Sequence, residues 1–481
     1  MPTEDFARGP VDPVVVKLVR QAKAPTPRKL IPFLKMLLFY IYFVPSATLL
    51  TPLYILRSLL PLTRLDPRWS FIQNLGVMHV RRVVRLFTRF GVQPIQPREN
   101  GWRESSTILG TFLGLLNLSG PGGRVVHPEM ALRAAEHAAG QRADRVWIPP
   151  PPLDAFRGLL TIRTGKAGEG TAHGPTYNGP PLIDPAFAKV RTRCFWFMHK
   201  DGISPPVPSQ KGRTRNSDRP VILYFHGGAS VTFSAGDLFM GETLAKNLAH
   251  TTGIDVFSVD YLLAPEATFP GSIVQALASW FYLTRHLGYL PSQIILGGDS
   301  YGGELVLSLT RYLLGDFRLY EPESGAEKPA ALLLLSPFCD ARASIENKPE
   351  CFDENSKKDI IALPYGAWGH EARGLFGDDS ADRGFLKKED PWFTFANLPD
   401  EEAKRYPPMF IANGRSELLW DMGVAMVERC RSLGLNVYHH VDPYAVHDYF
   451  TLVIFLEEAK VTYQAFTKWF REGVQRTQSH L

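Results

Sequence analysis

The heptapeptide GGDSYGG at residues 297–303 crowds four glycines around one serine. Glycine weakens helices and strands alike, so such a cluster makes sense only where the backbone must take positive φ or run close against a neighbour. The preceding residues, IIL, read as a strand, and the following ELVLSL as a helix. Gly298, Ser300 and Gly302 therefore satisfy GxSxG in the strand–turn–helix context that holds a serine hydroxyl exposed on a strained turn. A helix starting directly behind Ser300 aims backbone N–H groups and its positive dipole end at an oxyanion formed there. The chemistry this points to is nucleophilic catalysis; the alternative is a glycine turn with an incidental serine.

A serine hydroxyl is a weak nucleophile, so a base must take its proton and an acid must orient that base. His439, His440, His447 and His480 follow the plausible acids. His480 is in the terminal tail, and His439 and His440 sit inside a strand pattern where at most one could face a cleft. His447, in the loop DPYAVHDYF just after that strand, stands where the base is needed. For the acid, the strand PMFIANG ends at Gly414 and Glu417 follows in the next loop, with Asp421 and Asp340 as rivals. A third strand end, YFHGGAS, places His226, Gly227, Gly228 and Ala229 before the serine strand, where a second set of oxyanion donors would come from.

The elements that must position these groups are legible from residue 221 onward. Short apolar runs (VILYF, DVFSVD, QIILGG, ALLLLS, PMFIANG, NVYHHV) alternate with stretches of helical period such as SIVQALASWFYLTRHLG and DMGVAMVERCRSLG. Strands apolar on both faces, separated by crossover helices, predict an α/β fold with a mostly parallel central sheet covered by helices on both faces. Sites in such sheets gather at the carboxyl ends of the strands, which is where all three motifs fall.

With four motifs in order, HGGA, DYLLAPE (residues 260–266), GDSYGG and HDYF, the stretch from about residue 221 to 470 resembles the hormone-sensitive-lipase-like branch of the α/β-hydrolases. The resemblance implies Ser300, Glu417 and His447 as a catalytic triad. It also implies an oxyanion hole from the backbone around Gly227, Gly228, Ala229 and Tyr301, and a supporting role for His226, Gly298, Asp299, Gly302 and the LAPE segment. Three positions depart from that branch's pattern: Ala229 stands for a third glycine, Tyr301 for the usual alanine, its ring expected to wall the pocket, and Glu417 for the commoner aspartate. None of them removes a catalytic group. The implied activity is serine ester hydrolysis through an acyl-enzyme, needing no metal or organic cofactor.

The remaining sequence bears on substrate and location. At 481 residues and 45% hydrophobic the chain can bury a large core, and its net charge of +5 is concentrated around an apolar segment near the N-terminus. No zinc-ligand spacing or aromatic-interleaved basic motif appears, so a nucleic-acid partner is not expected. Residues 36–56, MLLFYIYFVPSATLLTPLYIL, carry no charge and would reach about 30 Å as a helix, the thickness of a bilayer core. Pro45 and Pro52 suit a kinked span or a re-entrant segment, and Lys29, Lys35, Arg57 and Arg64 flank it as interfacial residues would; burial in a soluble domain is the competing reading. Residues 77–90 place Arg81, Arg82, Arg85 and Arg89 around an apolar stripe, fitting a helix on lipid headgroups or one packed on the catalytic domain.

The expected organisation is a basic tail (1–29), a membrane-anchor segment (30–65), a helical linker or cap (66–145), N-terminal strands and flexible loops (146–220) and the catalytic core (221–475). By resemblance to sterol and arylacetamide deacetylases, the expected setting is the endoplasmic reticulum membrane, with lipid as partner. The expected substrate is an apolar ester such as a sterol acetate; a lipase for longer acyl chains, a tailoring esterase and a silent binding protein are the alternatives. Cys194, Cys339, Cys351 and Cys430 form no CxxC pair, although Cys339 and Cys351 could bridge in an oxidising lumen. Asn117, in NLS, is a glycosylation sequon that would report a lumenal domain.

Overall fold

The computed structural model describes residues 30–90, 145–164, 170–201, 203–206, 219–230, 233–263, 267, 269–317, 328–343, 347–361 and 386–475. The sequon at Asn117, the helical stretch expected over 101–144, the APE residues 264–266 and His480 lie outside these.

Eight strands form one sheet in the order β1-β2-β4-β3-β5-β6-β7-β8. They are β1 Arg145–Ile148, β2 Thr192–Phe197, β3 Val221–Phe225, β4 Asp255–Asp260, β5 Ile294–Asp299, β6 Ala331–Leu335, β7 Met409–Gly414 and β8 Val437–Asp442. β1 pairs antiparallel with β2 and β2 with β4, while every pairing from β4 to β8 is parallel. The six apolar runs read from the sequence are the six parallel strands. Arg145, expected at the end of a helical linker, instead opens β1, and TRCFWF is a strand that the loop-rich text around it conceals.

Every residue of β3 to β7 is buried, so the two-residue alternation separates two cores rather than core from solvent. Leu223, Phe225, Leu296, Leu332 and Leu334 face one core, and Ile222, Tyr224, Ile295, Leu333 and Leu335 the other. Ile273 and Leu277, Leu305 and Leu309, and Met426 and Val427 cover the first face. They come from helices Gly271–Phe281, Tyr301–Tyr312 and Trp420–Ser432, respectively. Helices Lys246–Thr252 and Leu456–Trp469 cover the second with Leu248, Tyr463 and Phe466.

At the N-terminus, α1 (Leu30–Leu59) and α2 (Phe71–Phe90) form an antiparallel hairpin through a 3₁₀ turn at Pro61–Thr63. The α1 helix runs through both Pro45 and Pro52. Along this run the Ser46, Thr48 and Thr51 hydroxyls donate to the carbonyls of Phe43, Val44 and Ala47, which satisfies these polar side chains within the helix itself. The hairpin rests on the second face: Trp69 is fully buried, its Nε1 donating to Tyr444 O at 2.9 Å, and Gln73 Nε2 donates to Glu458 Oε1 at 2.7 Å. Its far side is apolar and exposed, with Leu49 74%, Leu56 62% and Leu62 93% accessible. Among the described residues no helix is long and apolar enough to cross a membrane.

Candidate active site

The site is assembled where β3, β5, β6, β7 and β8 end. Ser300 stands between β5 and the helix Tyr301–Tyr312 with φ 50° and ψ −117°, a conformation strained for any residue with a Cβ. The turn is over-determined: Ser300 N donates to Leu335 O at 3.0 Å, and Ser300 O accepts from Gly303 N and Phe338 N at 3.0 and 2.9 Å. Gly302 is required because a Cβ there would lie 1.9 Å from Phe225 O, and Gly298 because a Cβ there would lie 2.4 Å from the Gly302 carbonyl. These contacts let the helix begin flush against the sheet and lift the serine Oγ out of it.

His447 and Glu417 come from loops zipped to each other. After β7, Arg415 N donates to Asp442 O and Ser416 N to Ala445 O, 2.8 and 3.0 Å, which carries Glu417 alongside the loop that follows β8. His447 Nε2 then lies 3.0 Å from Ser300 Oγ, while Nδ1 faces Glu417 Oε2 at 3.5 Å. The Nδ1 approach is that of an ion pair and long for a hydrogen bond. Glu417 is fully buried, and its other oxygen accepts from Asn413 Nδ2. The rival acids are engaged elsewhere: Asp421 accepts from Cys351 N, and Asp340 pairs with Arg342. His439 Nε2 bonds Asn413 Oδ1 at 3.0 Å and its pKa is pulled to about 4 by burial, and His440 lies against Phe410, so neither approaches the serine.

One expected role is corrected. Gly227 N donates to Asp299 Oδ2 at 2.9 Å, so its N–H is spent on holding the HGGA turn against β5 and is not an oxyanion donor. Asp299 also accepts from Tyr224 Oη at 2.7 Å, which makes it the tie between the two turns. Burial, with Asp448 adding to it, pushes its carboxyl well above the usual range against those two hydrogen bonds. Gly228 and Ala229 follow with φ 100° and 53°; alanine at positive φ stores backbone strain in place of a third glycine. His226 is fully buried, stacks on Tyr261 at 4.5 Å and accepts that residue's hydroxyl at its carbonyl, a supporting arrangement. The Tyr301 ring is buried beside Tyr261 with its hydroxyl 2.9 Å from Ser272 Oγ, so it is fixed in the interior behind the turn.

Two carboxylates that were not singled out from the sequence also belong to the site: Asp359, which lies in no motif, and Asp448, the aspartate of HDYF. Asp359, fully enclosed, accepts from His447 N at 2.9 Å and Leu418 N at 2.6 Å, fastening the His447 loop and the Glu417 loop to one side chain. Burial pushes its carboxyl up to about 6, while His447 and those two N–H groups pull the other way. Asn355 Nδ2, four residues earlier, donates to Glu417 O at 2.8 Å. The sequence ENSKKDII around them has no periodicity that would have exposed this clamp. Asp448, at φ 48°, places Oδ2 3.1 Å from His447 Nε2, the nitrogen that faces the serine. Burial lowers the His447 pKa, but Asp448 and then Glu417 outweigh it, leaving the imidazole well above its ordinary value. All four cysteines are free thiols, so Cys339 and Cys351 do not pair.

Residues 222–451 match a family model described as alpha/beta hydrolase fold. The chain is 28% identical over 245 residues to the ethyl acetate hydrolase of Pseudomonas putida, a match covering 50% of this chain and 69% of that protein. It is 33% identical over 108 residues to the hormone-sensitive lipase of Mus musculus, covering 22% of this chain and 13% of the lipase. A solved esterase from the bacterial hormone-sensitive lipase family overlaps 59% of this chain and 82% of its own at 24% identity, with a TM-score of 0.45. With the strand order and the family match, residues 222–451 form an α/β-hydrolase domain, and its likeness to named ester hydrolases makes the chain an ester-hydrolysing enzyme.

Proposed function

We propose that the protein is a serine carboxylic ester hydrolase whose nucleophile, base and acid are Ser300, His447 and Glu417. The observation that carries this is the 3.0 Å approach of His447 Nε2 to the Oγ of a serine held at positive φ, with a buried carboxylate behind the imidazole. His447 takes the Ser300 proton as Oγ attacks the ester carbonyl carbon. The tetrahedral oxyanion is held by backbone N–H groups of Gly228, Ala229 and Tyr301, the last at the positive end of its helix. The alcohol then leaves with the proton from His447, and water, deprotonated by the same imidazole, releases the acid from the acyl-serine.

The substrate class is an apolar ester with a short acyl group, such as a sterol or other lipophilic acetate. Two features support it: the exposed leucine-rich face of the hairpin, a surface suited to lipid, and likeness to an enzyme named for ethyl acetate; the lipid surface we propose is that of the endoplasmic reticulum. The α1 segment then dips into one leaflet instead of crossing it. The test is hydrolysis of p-nitrophenyl acetate, butyrate, octanoate and palmitate by detergent-solubilised protein. Rates should be highest on acetate and butyrate; a preference for octanoate or longer would replace the short-acyl reading with a lipase, and no hydrolysis at all would sink the reading.

The pH dependence follows from the groups around the base. Glu417, Asp448, Asp359 and Asp299 face His447 from the loops after β7 and β8, from the 351–360 segment and from the end of β5. Only neutral imidazole accepts the serine proton, and a raised pKa keeps it protonated to higher pH, so activity should rise towards the alkaline side. Asp448→Asn removes the first of the raising influences, and the acid limb of kcat/KM should move to lower pH. A limb unmoved in this variant would show that Asp448 does not set the base.

A further inference from the structure

Tyr42, Tyr54, Arg57, Arg81, Arg82 and Arg85 line a cavity of about 330 Å³ between α1 and α2. No carboxylate lines it, and among the described residues none of the four arginines takes part in an ion pair. Arg81 is 6% exposed; its Nη2 donates to Ser356 O at 2.9 Å, while Nη1 is buried without a partner. Arg82 Nε is also buried and unpartnered; the rest of that guanidinium bonds Ser46 Oγ and lies 5.7 Å over the Tyr42 ring. Arg85 Nη2 donates to Ser356 O at 3.2 Å, and Arg57 Nε to Thr63 O at 2.8 Å. Burial, and repulsion from Arg85 and Arg57, pull the Arg81 pKa down to about 10, with Asp359 only partly opposing.

Removing guanidinium groups from water without an anion is costly, and leaving their N–H groups unbonded adds to it. A tetrahedral phosphate offers several acceptor oxygens to forked donors and meets both deficits at once. A second hollow of about 580 Å³, lined by Leu56, Arg57, Leu62, Thr63 and Arg64, shares Arg57 with the first. Leu56 and Leu62 there are 62% and 93% exposed. Arg81 and Arg82 thus set charge inside the hairpin while Arg57 and Arg85 stand exposed at its mouth, with apolar surface at the neighbouring rim, in the order in which a phospholipid carries phosphate and acyl chain.

We infer that the α1–α2 hairpin contains a binding site for the phosphate of an anionic phospholipid, with Arg57, Arg81, Arg82 and Arg85 as its ligands. The site is separate from the hydrolytic centre and stands or falls independently of the activity proposed there.

The test is flotation of the full chain with phosphatidylcholine vesicles, with and without phosphatidic acid, together with calorimetric titration by inorganic phosphate. Wild-type protein should partition more strongly onto phosphatidic acid, and Arg82→Gln should lower that partition about five-fold, the contribution of one basic residue at an anionic surface. Arg81→Gln/Arg82→Gln should lower it further. Lys468→Gln, which removes the same charge from an exposed position on the Leu456–Trp469 helix, should not change it. Thermal midpoints of the variants, which need no activity, establish that they are folded. Inorganic phosphate that binds wild type, fails with Arg82→Gln and displaces vesicles would confirm the phosphate chemistry and name free phosphate as its source; binding to vesicles alone would name the lipid. Wild-type binding by both arginine variants, or an equal loss in Lys468→Gln, would overturn the inference.

Discussion

Ser300→Ala should leave a folded protein whose turnover of p-nitrophenyl butyrate is about 10⁴- to 10⁶-fold lower, because a serine and its base act as one unit and removing either disables both. The expectation follows from geometry. Ser300 Oγ is the group 3.0 Å from His447 Nε2, and the backbone that fixes the turn, through Ser300 N to Leu335 O and Phe338 N to Ser300 O, does not involve the side chain. Alanine retains the same positive φ, so little stability should change. A fluorophosphonate probe should label the native protein and fail on the variant, since covalent capture requires an activated oxygen. Residual turnover within about ten-fold of native would place the nucleophile elsewhere and undo the mechanism built on this serine.

Gly302→Ala should instead act on the fold. A Cβ at this position would lie 1.9 Å from Phe225 O, 2.7 Å from Phe225 C and 2.9 Å from His226 O, all backbone atoms of β3 and the turn after it. Because no flexible side chain can yield, the helix Tyr301–Tyr312 must lift away from the sheet. We expect a loss of about 3 kcal/mol or more, at the upper end of overpacking. The same shift would carry Tyr301 N away from the HGGA turn, so activity should fall together with stability. Denaturation midpoints in urea for native and variant protein decide the matter; a native midpoint in Gly302→Ala would show that the two segments are not in contact as described.

The two variants mark how differently sequence and structure contribute. Ser300 was legible because its context is local: an apolar strand, a glycine turn and a helix within one short stretch, each enforced by backbone sterics. His447 and Glu417 were legible for a related reason, since each lies in the loop directly after a recognisable strand. The six parallel strands announced themselves as continuous apolar runs because both faces of that sheet are covered. By contrast TRCFWF, the β2 strand, lies between loops rich in glycine and proline, and its strand character depends on pairing with β4, a partner some sixty residues away.

What only the tertiary structure decided lies in contacts between distant segments. That Gly227 is no oxyanion donor follows from its N–H meeting Asp299, and hydrogen-bond partners across a sheet are not written in either motif. Asp359 has no motif, yet it joins the His447 and Leu418 backbones because the 351–360 segment folds back over two loops that follow it much later in the chain. Asp448 is adjacent to the base in sequence, but its contact with Nε2 depends on a positive φ that neighbouring residue types do not dictate. The apolar segment shows the same division. Its composition pointed to a helix over 36–56, whereas packing decided that it pairs with α2 and borders a cavity lined by four arginines and no carboxylate. Local sterics and hydrophobic period are properties of a short window of chain, and so the sequence alone determined the strands of the parallel sheet and the strained turn at Ser300. Charge pairing and hydrogen-bond partners are properties of proximity, which the fold creates.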